Sequence, residues 1–230
     1  MRPVDKGPDL GEFHPYNDAQ QPLQNRLGEF CSYCERWIAG GIHVEHKKPK
    51  AHYGELEFQW RNFLLACGNC NSAKGSGRFE LEDYVWPDAD NTMKAFEYGA
   101  EGRILPKVGF GDELDQKIEN TWTLFGLNRH PDATVHSFKL PTTKDKRWIH
   151  RKKEWDKATK NKTSLLENDN TVLRDMIIDI AYAKGMFSIW YSVFSDDIDM
   201  KRRLIAVFEN TAINCFDDDF DLVTRPAGQI

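Results

Sequence analysis

Two Cys-x-x-Cys pairs, "CSYC" at 31–34 and "CGNC" at 67–70, constrain this chain more than any other feature. Each pair presents two sulfurs from one tight turn, and four thiolates from two such turns close a tetrahedral zinc site. Without a secretory context, this spacing points to metal rather than to disulfides. Thirty-two residues separate Cys34 from Cys67, more than a simple zinc ribbon needs. The ion would therefore staple the two ends of an inserted unit. Cys215 stands apart in a mostly apolar run and reads as a small core residue.

The chain of 230 residues is long enough for one large domain or two small ones. Its longest charge-free apolar stretch, "GMFSIWYSVF", is too short to span a bilayer and reads as core. "MRPVDKGPDLGEF" has no apolar signal core, so a cytoplasmic location with no membrane association is expected. The net charge of −5 excludes a uniformly basic protein but hides a partition. Residues 139–162 hold ten Lys or Arg against three Asp or Glu, whereas residues 209–221 hold five acidic residues and no basic one.

The hydrophobic pattern divides the chain into three parts. Residues 1–90 comprise an irregular arm, a helical stretch through Leu23, Leu27 and Phe30, and the stapled unit. Inside that unit, "IHVEH" after Gly40 and Gly41 reads as a short strand, and "FLLAC" as a second. A helix is expected to start near Asn71 and to stop at the glycines after Lys74. Residues 91–138 form a connecting region. It contains a hairpin over 96–106 that turns at Gly99 and Gly102, and a helix with Leu114, Ile118, Trp122 and Phe125 on one face. Residues 139–230 read as helical. They begin with a basic helix over 144–162 and include a packed face of Leu173, Ile177, Ile180 and Lys184.

The order "CSYC … VEHKKP … WRNFLLACGNCNSAKG" resembles an HNH endonuclease motif of the zinc-stapled ββα-metal kind. The match covers residues 31–75 and fills nearly every motif position. More loosely, "YCE", "VEH", "FEYGAEGRILP" and "LFGLN" resemble the HNH proteins of Septu anti-phage systems, which also occur beside some retrons. The resemblance implies an α+β protein: a ββα-metal unit with a structural zinc knuckle at Cys31, Cys34, Cys67 and Cys70, embedded in a mainly α-helical chain. It implies a nuclease acting with an ATPase of the ATP-binding-cassette kind, and it admits a retron nucleoprotein as a further partner.

The same residues suit phosphodiester hydrolysis, which needs an activated water and a cation near the phosphate. Glu45 and the Asn71 amide oxygen are hard ligands suited to Mg²⁺ or Mn²⁺. Asn71 stands where many such motifs carry a histidine. His46 would be the general base, since a neutral imidazole takes a proton from water at physiological pH. In the family the central asparagine, here Asn62, orients that base, by fixing either a ring tautomer or the backbone of the loop. Lys74, three residues after Asn71, is expected to contact phosphate. In a regular strand Glu45 and His46 point to opposite faces, so serving one point in space demands a bend or bulge. His43 and His52 read as bystanders.

The basic segment suggests a nucleic-acid backbone track through Lys146, Arg147, Arg151, Lys152 and Lys153, against the simpler reading of a solvated helix face. Trp148 and Trp155, seven apart, are expected to pack inward. DNA is the expected substrate and RNA, such as transfer RNA, the alternative. A zinc-stabilised binding module without catalysis is the reading from another class.

Overall fold

The computed structural model describes residues 1–132 and 138–230; the last residues of the connecting region lie outside it. The elements in order are α1 (Gln20–Leu27), β1 (His43–His46), β2 (Phe63–Ala66), α2 (Gly68–Lys74), α3 (Thr92–Ala95), β3 (Phe96–Tyr98), β4 (Ile104–Pro106), α4 (Asp112–Leu124), α5 (Arg147–Glu167), α6 (Thr171–Lys184), α7 (Phe187–Val193) and α8 (Ile198–Val207). Two small antiparallel sheets, β1–β2 and β3–β4, sit among helices, which makes the fold α+β. No helix among the described residues is long and apolar enough to cross a membrane.

The β1–β2 ribbon is the frame of the stapled unit. Its register is unbroken, with His43 opposite Ala66, Glu45 opposite Leu64 and His46 opposite Phe63. Both faces are covered, so every residue of β2 is buried and it reads as a continuous apolar run. Chain direction then changes within one residue. Cys67 caps α2, its sulfur accepting from the Cys70 N–H at 3.5 Å. The helix thus begins at Gly68, before Asn71, and ends at Gly75 with φ +67°. α1 likewise stops at Gly28, which leaves Phe30 buried but off the helix.

The N-terminal arm is irregular but tied down rather than loose. Lys6 Nζ reaches the Phe63 carbonyl at 2.9 Å, and Lys6 and Lys47 share Asp88 at 3.0 and 2.7 Å. Two cations hold the buried Asp88 carboxyl far below its ordinary range despite its desolvation. Met1 and Val4 join the core.

The hairpin over 96–106 forms as expected, and α7 is the interior helix, with Phe187, Ile189 and Trp190 buried. Trp155 packs against the core and Cys215 is buried within it. The α6 face differs from expectation at its end: Ile177, Ile178 and Ala181 are buried, whereas Lys184 is exposed. Gly185, at φ +73°, ends α6; a Cβ there would lie 2.3 Å from the Glu35 carbonyl. That close approach seats the first knuckle on the helical region, where Glu35 accepts from both the N–H and the hydroxyl of Ser188.

Candidate active site

The four cysteines of the two pairs are buried free thiols whose sulfurs all lie within 4.8 Å of one another. Zn–S bonds of ~2.3 Å in a tetrahedron put sulfurs ~3.8 Å apart. Cys34 Sγ and Cys67 Sγ are 3.6 Å apart. Donor type, number and spacing fit a structural zinc ion, with no side for a substrate to enter.

β1 and the loop after it build the candidate base. His46 lies with its ring edge-on to Tyr16 and Phe63, at centroid distances of 4.6 and 5.1 Å. Its Nε2 is 2.8 Å from the Glu57 carbonyl oxygen. A carbonyl only accepts, so Nε2 carries the hydrogen, and in the neutral ring Nδ1 keeps the lone pair. Burial lowers the imidazole pKa below its ordinary value, outweighing the Glu57 carbonyl, which favours the charged form.

Asn62 supports this arrangement from underneath. Its Oδ1 accepts from the Lys48 N–H at 2.8 Å, and its Nδ2 donates to the carbonyls of Lys48 at 3.0 Å and Leu56 at 3.2 Å. Leu56 precedes the residue whose carbonyl holds His46. Asn62 therefore acts on the loop backbone and does not touch the ring.

Glu45 leaves β1 on the other face, since no bulge interrupts the register. It is 2% exposed, accepts a short hydrogen bond from the Tyr33 hydroxyl, and pairs with Lys74 Nζ at 2.7 Å. Lys74 also donates to the His46 carbonyl at 2.7 Å. The Lys74 ammonium, expected to contact phosphate, is held inside, with its side chain 2% exposed. Asn71 is exposed on the same helix, one turn before Lys74. Glu45 and Asn71 are hard oxygen donors on facing elements, and the ammonium marks Glu45 as a place for positive charge. Hard oxygen donors of this kind suit a hard divalent cation, which would share the carboxylate with Lys74 or take its place. His43 and His52 are exposed and lie apart from these contacts.

Sequence comparison meets this geometry directly. Residues 31–77 match the HNH endonuclease family. Over 81 residues the chain is 36% identical to the Septu protein PtuB of Bacillus thuringiensis, a match covering 33% of this chain and 32% of that protein. The similarity thus spans about a third of the relative's length. No solved structure gives a significant match.

The stapled unit is held by the C-terminal helices through its cysteine cluster. Arg147 is 1% exposed; it donates to Cys70 Sγ at 3.1 Å, to the Phe125 and Gly126 carbonyls at 2.7 and 2.9 Å, and to Asp145. Arg36 donates to Cys67 Sγ at 3.6 Å. Four thiolates on one zinc ion would leave a net double negative charge, which these guanidinium groups would offset. Arg147, expected on a nucleic-acid track, is thus turned inward to the cysteine cluster and away from solvent. Arg151 is also withdrawn: it is 2% exposed and bonds the Gly102 carbonyl. Of the proposed track, Lys146 and Lys153 are exposed, and Lys152 lies 3.3 Å from Asp156. The 3.6-residue period decides this split, because a helix packed on one face must turn some of a run of cations inward.

Substituting Arg147 with methionine should speed transfer of the metal to a chromogenic chelator about tenfold or more. An unchanged transfer rate in a folded Arg147→Met chain would remove Arg147 from the metal's surroundings. The sequence offered little warning of Arg147, Arg36 or Tyr33, since each acts through a contact made across the fold.

Proposed function

We propose that this chain is an HNH endonuclease that hydrolyses phosphodiester bonds of nucleic acid, DNA in the first instance, as the effector of an anti-phage defence system. The observation that carries the reading is the His46 ring: Nε2 tied to Glu57, Nδ1 left to take a proton, and burial keeping the base neutral. His46 Nδ1 removes a proton from water, the hydroxide attacks phosphorus, and the P–O bond to the leaving oxygen breaks. Asn62 holds the loop that orients the ring. A divalent ion on Glu45 and Asn71 would stabilise charge on the phosphate and the leaving oxygen. Lys74 positions Glu45 and the end of β1. Because Glu45 and His46 leave β1 on opposite faces, the scissile phosphate straddles the strand's end at 47–49.

The likeness to a Septu protein supports a partner ATPase of the ATP-binding-cassette kind, and with it the idea that recruitment offsets the acidic net charge. Incubating the purified chain, with and without such an ATPase, with plasmid DNA and with total RNA in Mg²⁺ or Mn²⁺ tests activity, substrate and partner dependence together. A pH series adds a sharper test. The base works when neutral, and burial lowers its pKa, so the acid limb of the cleavage profile should be centred below the ordinary imidazole value of ~6.5. An acid limb centred above that value would contradict a half-buried, neutral His46.

A further inference from the structure

Just past His46, two groups converge on one carboxylate, with an arginine nearby. Lys48 Nζ lies 2.5 Å from Glu80 Oε2, and the Tyr53 hydroxyl donates to Glu80 Oε1 at 3.1 Å. The Lys48 ammonium also sits over the Tyr53 ring at 4.6 Å, and the Arg78 guanidinium over the same ring at 5.7 Å. These donors are not loosely arranged. Both backbone polar groups of Lys48 are held by Asn62, the residue that orients the loop behind His46. The Tyr53 hydroxyl shares its one hydrogen between Glu80 and the Phe79 carbonyl, the latter the nearer at 2.8 Å. Glu80 itself is anchored at its base, because Phe79 packs against Tyr84 and Trp86 and under the Lys74 ammonium. Its own side chain is half exposed, at 52%, whereas that of Lys48 is only 17% exposed. The cation is thus built into the unit, and the anion lies over it from outside.

We infer that Lys48, Tyr53 and Arg78 form a subsite for a backbone phosphate of the nucleic acid, and that Glu80 occupies this subsite in the free chain. The inference rests on the nuclease reading above and deepens it. An ammonium and a phenol hydroxyl, with a guanidinium nearby, suit the two unesterified oxygens of a phosphodiester as they suit those of a carboxylate. The subsite lies two residues past the base, at the end of β1, and would fix the strand relative to His46. Glu80 is a weak occupant, because an exposed ion pair is screened and contributes little. A polyanion that releases counterions on binding outcompetes it. Glu80 thereby weakens binding of any nucleic acid by this chain until a strand is presented firmly enough to displace it.

The test measures binding without cleavage, using full-length chain carrying His46→Ala. Its probes are a fluorescein-labelled DNA duplex and a labelled single-stranded RNA, titrated across a salt series. In that background Glu80→Gln should tighten binding about two- to fivefold. Lys48→Gln should weaken it about fivefold and reduce the salt slope by about one. Adding Glu80→Gln to Lys48→Gln should then gain nothing, because the two act at one place. Circular dichroism and melting of each variant confirm that the fold persists; Glu80→Gln, at a solvated tip, reads out even where Lys48→Gln disturbs the loop. Binding that is indifferent to Glu80→Gln, or a gain that survives Lys48→Gln, overturns the subsite and leaves the nuclease reading intact. A chain that binds neither probe and cleaves neither DNA nor RNA overturns the nuclease reading, and the subsite with it. Which probe responds identifies whether DNA or RNA supplies the phosphate.

Discussion

Replacing His46 with alanine is expected to lower the cleavage rate by about 10²- to 10⁴-fold while leaving zinc content unchanged. The expectation follows from what the ring touches. Its Nε2 bond to the Glu57 carbonyl leaves the Nδ1 lone pair poised to accept a proton at the end of β1. The cysteine sulfurs belong to the other elements of the unit, so the metal does not depend on the ring. Some packing against Tyr16 and Phe63 is lost, and a modest fall in melting temperature accompanies the substitution. Single-turnover cleavage, zinc by mass spectrometry and thermal melting separate these effects. Full activity in His46→Ala would take His46 out of the mechanism. A wild-type chain that binds nucleic acid but never cuts it would favour the zinc-stabilised binding module.

The second large effect concerns the staple. Cys31→Ser, or exhaustive chelation, should unfold the HNH unit and abolish activity as a consequence. Structural zinc contributes about 10–16 kcal/mol of apparent folding free energy in small zinc modules, comparable to the ~5–15 kcal/mol stability of a whole domain. Cys31 is 1% exposed and Cys70 is not exposed at all, so an ion-free cluster would leave four thiols packed at van der Waals range with no bond between them. The first knuckle also seats on α7 through Glu35 and Ser188, which carries the damage into the helical region. Zinc content, melting and near-ultraviolet dichroism report the loss. Retention of one zinc per chain and an unchanged melting temperature in Cys31→Ser would refute a four-cysteine site.

Comparing the two expectations shows which parts of the site were legible. Ligand type and spacing carried the zinc centre, because two sulfurs three residues apart converge wherever the turn is tight. Short-range pattern also carried β1, β2, the hairpin over 96–106 and the stop of α2 at Gly75. The role of Asn62 was legible only as a pair of alternatives, since the choice between ring and loop depends on where Leu56 and Glu57 fold back. The burial of Lys74 was not legible, for a physical reason. Helical spacing places it beside Asn71, but spacing does not say whether a long side chain reaches outward or under the strand to a buried carboxylate. The burial of Arg147 and Arg151 was hidden in the same way: a local excess of cations reports charge along the chain, and only packing says which of them face water.

The order of residues alone determined the chemistry available to this protein: four thiolates for zinc, a histidine and a carboxylate at the end of one strand, and two amides to support them. The tertiary structure decided how those groups are used. It turned Glu45 and His46 to opposite faces, turned Arg147 to the cysteine cluster, and laid Glu80 over Lys48. The reason is that ligand identity and short spacing are local properties of the chain. Burial, charge pairing and the choice of hydrogen-bond acceptor depend on residues tens of positions away, and these are settled only when the chain has folded.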